Sequence, residues 1–162
     1  MSTPHRSTQW RPLIAQTLAF VNVPGLDIDT VEAMVRTESS GNPKAYRFEP
    51  GYWERYCKNH PVFKHGEPER IAASYGLLQV MYPTAHGLGF RGEPEELYVP
   101  QQSLLYGVLL MKDNLLWAKG HLEAALAAYN GGRKGNRTQP FRNGVYVSKV
   151  KKHRVAIQQE QP

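Results

Sequence analysis

The sequence predicts a mainly α-helical domain, with about six helices around one buried central helix and little or no β-sheet. Three observations carry this. Apolar residues recur at three- and four-residue steps in several separate stretches. One of these, Pro100 to about Lys119, is apolar around much of its circumference, as a helix enclosed by others must be. The length, 162 residues, suits one compact domain.

Taken in order, residues 1–8 read as a polar, flexible lead, and residues 9–160 as the folded domain. Leu13, Ile14, Thr17, Leu18 and Val21 set a first helix over roughly residues 9–22, ended by Pro24-Gly25. A second helix starts near Asp27, with Asp27 or Asp29 as its cap. Ile28, Val31, Met34, Val35 and Glu38 fall on one of its sides, and Ser39-Ser40-Gly41-Asn42-Pro43 stops it. Ala45 to His60 is aromatic, broken by Pro50-Gly51 before a short helix. Residues 61–70 and Gly87 to Pro94 read as loops, and the segment Ala72 to Pro83 between them as extended or irregular at first. Leu104, Leu105, Val108, Leu109, Met111, Leu115 and Leu116 mark the central helix, which Gly120 ends. A short alanine-rich helix, His121 to Tyr129, closes at Asn130-Gly131-Gly132. A basic glycine-rich loop, Arg133 to Arg142, leads to a last helix from about Tyr146. Val147, Val150, Val155 and Ile157 face inward on it and lysines outward.

Composition narrows the function classes. Twenty Lys and Arg against fourteen Asp and Glu leave a net charge of +6. That suits a polyanion, whether nucleic acid or an acidic cell-wall polymer, or simply a solvated basic surface. The single cysteine, Cys57, allows no internal disulfide and reads as a small buried hydrophobe. There is no Cys-x-x-Cys pair and no His-Glu-x-x-His run, so no zinc signature is present; no metal ligand and no organic cofactor is expected. No secretion signal and no bilayer-length apolar run is seen, which predicts synthesis in the cytoplasm without membrane insertion.

Three local features carry chemistry. Glu38 lies on the apolar side of its helix and at the C-terminal end. Desolvation and the negative end of the helix dipole both disfavour the carboxylate there, raising its pKa toward that of a general acid. The plain alternative is a boundary glutamate reaching into water. Gly76-Leu77-Leu78-Gln79 combines a glycine for close approach, two core leucines and an amide suited to sugar hydroxyls or an N-acetyl group. It also reads as a turn and a buried strand. Ala127-Ala128-Tyr129-Asn130-Gly131-Gly132 packs tightly and sets Tyr129 and Asn130 at a helix end, or else merely terminates that helix.

In this order the segments resemble those of the lysozyme-like soluble lytic transglycosylases. That family has a Glu-Ser pair ending a helix, then Gly-Leu-Met-Gln, Ala-Tyr-Asn-x-Gly and Tyr-Val-x-x-Val. The counterparts here are Glu38-Ser39, Gly76 to Gln79, Ala128 to Gly132, and Tyr146-Val147-Ser148-Lys149-Val150. The resemblance spans roughly residues 28–155 and implies the lysozyme-like α+β superfold. Leu78 replaces the usual methionine, close to a volume-conserving swap. The long insertion between Glu38 and Gly76, with Tyr46 to Trp53, resembles a phage-type sub-branch.

The resemblance implies cleavage of the β-1,4 bond between N-acetylmuramic acid and N-acetylglucosamine, closing a 1,6-anhydro ring. Glu38 is then acid and afterwards base, and the partner is the peptidoglycan glycan strand. Tyr129 would orient Glu38; Ser39, Gln79 and Asn130 would position the sugar; Tyr146 would shape the cleft. Tyr75 and Trp53 are candidates to stack on sugar faces, Trp53 equally for the core. The basic loop residues Arg133, Lys134 and Arg137 would attract the acidic wall or stand solvated. A monomer is expected, acting on the wall after release or delivery by other means, with phage origin the preferred reading. The main alternative is a muramidase, with Glu49 as the second carboxylate that activates water; the structural reading of Glu49 is a partner of Arg47 or Arg55. A more distant alternative is a basic nucleic-acid binder using the tail Lys149 to Arg154.

Overall fold

The computed structural model describes residues 2–161, and it is mainly α-helical. Helix α1 (Arg11–Val21) and helix α2 (Ile28–Ser39) come first. A small antiparallel sheet follows, built from β1 (Tyr46–Phe48), β2 (Ala73–Tyr75) and β3 (Val80–Met81) in the order β1-β2-β3. Tyr46 pairs with Tyr75 and Ser74 with Met81. The short helices α3 (Pro50–Tyr52) and α4 (Pro68–Ile71) lie in the connection between β1 and β2, and α5 (Tyr82–Gly87) follows β3. The larger helices α6 (Pro100–Trp117), α7 (Leu122–Gly131) and α8 (Gly144–Glu160) complete the chain.

Helix α2 forms where the sequence places it. Asp27 caps it, its carboxylate accepting from the Thr30 N–H at 2.8 Å. It ends where Ser40 and Gly41 turn into the left-handed region, at φ 52° and 81°. Helix α6 is the central one: α1 and α7 pack on it, and Leu104, Val108, Met111 and Leu115 are buried. Its enclosure is incomplete, because Leu116 faces solvent at 72% exposure. On α8, which lies along α2, Val147, Val150 and Ile157 point inward as expected. Val155 does not; it is exposed, falling outside the stripe that α2 covers.

The aromatic insertion builds a satellite core of Cys57, Phe63, Ile71 and Ala72, with Phe48, Tyr52, Trp53 and Tyr82 packed against it. Trp53 thus takes its core role, and Trp53–Cys57 winds as a single wide π turn. The loop read over residues 61–70 runs into the helical turn α4, started by Pro68, and the loop from Gly87 ends at Pro94, which starts a 3-10 helix over Pro94–Tyr98.

The lead also differs from expectation. Met1 lies outside the described residues, but Arg6–Trp10 forms a 3-10 helix and Ser7 is fully buried. The reason is a buried charge. Glu32 has no exposed surface, and its carboxylate accepts from Ser7 Oγ at 2.8 Å, from Arg36 at 3.1 Å and from Arg11. Burial alone would raise the Glu32 pKa; these donors overcome it and hold the carboxyl below its ordinary range. Arg36 reaches on to Glu160 at 2.7 Å, so one ionic cluster ties the N-terminus, α1, α2 and α8 together.

Candidate active site

Glu38 sits in the last turn of α2, the helix against which α8 packs. It lines a polar cleft of about 450 Å³ bounded by α2, the sheet, the end of α7 and the start of α8. Burial is the largest influence on its carboxyl and raises the pKa from 4.5 to about 7. Tyr146 and the charge of Arg47 pull it partly back. The Tyr146 hydroxyl is itself buried beside Glu38, short of an ordinary hydrogen-bond geometry, and it has no other partner among the described residues. Desolvation, then the nearby Glu38 charge, pushes both Tyr129 and Tyr146 well above the usual phenol range, so both stay neutral donors.

A larger groove of about 710 Å³ lies between α7, α8 and residues 137–141. Size does not select it as the reactive site: its carboxylate, Glu123, is exposed to solvent and paired with Lys151. The smaller cleft holds the desolvated acid.

The turn Gly76–Gln79 reaches the cleft through Gln79. Gly76 has φ +77°, and a Cβ there would stand 2.6 Å from the Leu97 carbonyl and 2.9 Å from Ser103 Oγ. Both the conformation and the close approach require glycine. Gln79 follows at φ +48° and is used inside the protein. Its amide donates to the carbonyls of Ala45 (3.0 Å) and Gly76 (3.1 Å) and accepts from Ser74 Oγ at 3.0 Å. It lines the cleft; its oxygen, already accepting from Ser74 Oγ, keeps a second lone pair for a ligand donor.

Several side chains expected to reach a sugar are likewise committed to the fold. Ser39 Oγ donates to the Leu77 carbonyl at 2.8 Å, pinning α2 to the turn. Tyr129 donates to the Leu78 carbonyl at 2.6 Å, so it does not hydrogen-bond Glu38; it lies beside it and contributes field and shape. Tyr75 is 1% exposed, donates to the Arg70 carbonyl and packs edge-on to Tyr46 and Tyr98; no face remains for a sugar. The basic loop is partly folded back as well. Arg137 and Arg133 lie over the Trp117 ring, at 4.4 and 5.5 Å from its centre.

Glu38, Gln79, Asn130 and Tyr146 do share one cleft, and Glu49 joins them. Glu49 is paired with Arg47 at 3.0 Å and is partly exposed. The structure adds Arg47, Arg142, Asn143 and Lys149 to the lining. Sequence reading of the cleft passed over Asn143, which falls between the loop Arg133 to Arg142 and the helix from Tyr146, and took Lys149, at a variable position of the Tyr-Val-x-x-Val segment, only as part of the basic tail. Among the described residues no cluster of His, Cys, Asp and Glu fit for a metal ion occurs, and no helix is long and apolar enough to cross a membrane.

The match to the transglycosylase SLT domain family runs over residues 21–145, more than half of the chain and from before Glu38 to beyond Asn143. The chain belongs to this family. No curated protein matches it by sequence. Among solved structures, this SLT domain is similar to the 70 kDa soluble lytic transglycosylase of Escherichia coli, with a TM-score of 0.55 and 19% identity. That similarity covers 83% of this chain but 22% of the other, so the chain spans about a fifth of the larger protein and the likeness is one of fold. The lysozyme-like, mainly α fold of this SLT domain follows from both comparisons.

Proposed function

We propose that this SLT domain is a lytic transglycosylase that cleaves the glycan strands of peptidoglycan, with Glu38 as the acid and then the base. The observation that carries the proposal is a half-buried, largely desolvated carboxyl, raised to about 7, in the lining of a polar cleft in a member of this family. Near neutral pH such a group is divided between its protonated and ionised forms, as a residue that must first give and then take a proton requires.

Protonated Glu38 gives its proton to the glycosidic oxygen as the bond from the muramic acid C1 breaks. The N-acetyl oxygen of the same sugar stabilises the cationic centre, so no protein nucleophile is needed. The Glu38 carboxylate then removes the proton of the sugar 6-hydroxyl, whose oxygen bonds to C1 and closes the 1,6-anhydro ring. Proton and leaving group balance, and no water is consumed. Tyr146, neutral and beside Glu38, steadies the carboxylate once it forms. Asn130 and the Gln79 oxygen meet the sugar, and Arg47, Arg142 and Lys149 face the acidic groups of the wall.

A muramidase remains the second reading because Glu49 lines the same cleft. Its ion pair with Arg47 gives it the structural role the sequence also offered. A nucleic-acid surface on α8 is less favoured, since Arg154 is held by Asp27 and Thr30 and Lys151 by Glu123.

The test is digestion of purified peptidoglycan by the parent and by Glu38→Gln, with the soluble products weighed. Products lighter by one water than hydrolytic muropeptides, absent with the variant, are expected. Ordinary reducing ends would establish the muramidase instead, and release undiminished in the variant would remove Glu38 from the mechanism.

A further inference from the structure

Three asparagines connect the interior to the cleft, and the direction of every hydrogen bond between them can be worked out. Asn136 is fully buried in the glycine-rich loop. Its Oδ1 accepts from the backbone N–H of Asn143 at 2.9 Å. A backbone N–H only donates, so the oxygen of Asn136 is identified without ambiguity. Its Nδ2 consequently faces the carbonyl of Gly132 at 2.8 Å, that of Ala127 at 3.3 Å, and Asn143 Oδ1 at 2.8 Å. Carbonyls only accept, which fixes the same orientation a second time. The next amide then has no choice. Asn143 Oδ1 is the acceptor, so its Nδ2 is the donor, and it donates to Asn130 Oδ1 at 2.8 Å. What Asn130 has left for the cleft is its NH2 group.

Two further features show that this arrangement is built in. Asn143 stands at the N-cap of α8, yet its side chain makes no capping bond; it is turned across to Asn136 and Asn130 instead. Gly131 lies directly beneath it, and a Cβ at that position would collide with Oδ1, Cγ and Nδ2 of Asn143. The glycine after Asn130 is therefore the space that Asn143 occupies. Meanwhile three other neutral donors near the cleft are spent, the Gln79 amide on Ala45 and Gly76, the Tyr129 hydroxyl on Leu78, and the Ser39 hydroxyl on Leu77, while the Tyr146 hydroxyl is turned to Glu38.

We propose that Asn136 and Asn143 are positioning residues that lock the Asn130 amide with its NH2 toward the glycan, so that the cleft selects a hydrogen-bond acceptor, a carbonyl or ether oxygen, at that point. This rests on the reading of the cleft as a glycan site. A polarised chain anchored in the interior makes reversal of the last amide expensive, since flipping Asn130 would set two NH2 groups face to face.

Two variants test it. Asn130→Asp keeps the acceptor toward Asn143 and replaces only the group facing the cleft. Asn143→Asp removes the donor that holds Asn130 and favours its reversal. Both are expected to lose about tenfold in kcat/KM on solubilised peptidoglycan, the effect of one hydrogen bond, with melting temperatures within a few degrees of the parent. In an Asn130→Ala background, Asn143→Asp should cost nothing further. Full activity of Asn130→Asp, or an undiminished loss from Asn143→Asp in the Asn130→Ala background, would overturn the proposal.

A second readout does not depend on catalysis. In side-chain amide NMR the NH2 protons of Asn136 and Asn143 should exchange slowly and those of Asn130 at a solvent-like rate, with the Asn130 NH2 signals moving when N-acetylglucosamine oligomers are added. A protected Asn130 NH2, or a freely exchanging Asn143, would reverse the assignment. A parent inactive on peptidoglycan would sink the proposed activity while this measurement still decided the amide polarity.

Discussion

Replacing Glu38 by Gln should stabilise the protein, and the gain should depend on pH. The folded state holds the Glu38 carboxyl at about 7 against an ordinary 4.5, chiefly by burial. Between these values the unfolded chain has released its proton and the folded chain still keeps it. The unfolded state thus binds fewer protons, so the stability of the parent falls as pH rises through this window. Below 4.5 both states are protonated and the penalty is absent; above 7 it is complete. At 1.36 kcal/mol per pKa unit the full penalty is about 3 kcal/mol, worth on the order of 10 °C in a chain of this size. Glutamine cannot ionise and escapes the penalty. Urea unfolding of parent and variant at half-unit steps from pH 4 to 8 measures the difference directly. The stability gap should be small and constant below 4.5, widen between 4.5 and 7, and level off above. A gap that does not change with pH would refute the claim that the folded protein disfavours the Glu38 carboxylate, and with it the basis for Glu38 as the acid.

Four other outcomes follow from the same geometry. The kcat/KM of the parent should fall above pH 7, tenfold per unit once Glu38 is ionised; in Tyr146→Phe this alkaline limb should move to higher pH, because Tyr146 lowers the Glu38 pKa, and an unmoved limb would count against their contact. Glu49→Gln should still release anhydro products at a rate within about threefold of the parent, whereas a loss of about a hundredfold, the size of a general-base contribution, would favour hydrolysis. Gly76→Ala should destabilise by about 3 kcal/mol in urea unfolding, through its positive φ and the contact with the Leu97 carbonyl; a change below half of that would mean the turn can rearrange. Glu32→Ala should cost about 3 kcal/mol, since it leaves Arg36 buried with Glu160 and Ser7 alone, and thermal melting compared with a neighbouring surface substitution would detect it.

Much of the fold was legible because its signals are local. The apolar spacing from Ile28 to Val35, with Asp27 as cap, defines α2 from a dozen consecutive residues, and the apolar run from Leu104 to Leu115 likewise defines α6. The exposure of Leu116 and Val155 was not legible, since helical spacing says which residues share a side but not how wide a strip the neighbouring helices cover. The burial of Ser7 was hidden for a related reason. Serine and arginine near a terminus look like solvated residues until Glu32, twenty-five positions later, is seen to need their hydrogen bonds.

For the site, the sequence by itself determined the position of Glu38 on an apolar helical side, the glycine turn beneath it, and the order of segments that marks the family. These depend on near neighbours in the chain and on the hydrophobic pattern. Which polar groups remain free was decided by the tertiary structure. Ser39, Gln79 and Tyr129 each carry groups able to bind a sugar, yet burial obliges them to satisfy carbonyls of the turn from Ala45 or from Gly76 to Leu78. Asn130 keeps its NH2 for the cleft because Asn143, thirteen residues away, takes its oxygen. A hydrogen bond joins groups close in space whatever their separation along the chain, so the residue types were written in the sequence and their free donors were settled only by folding.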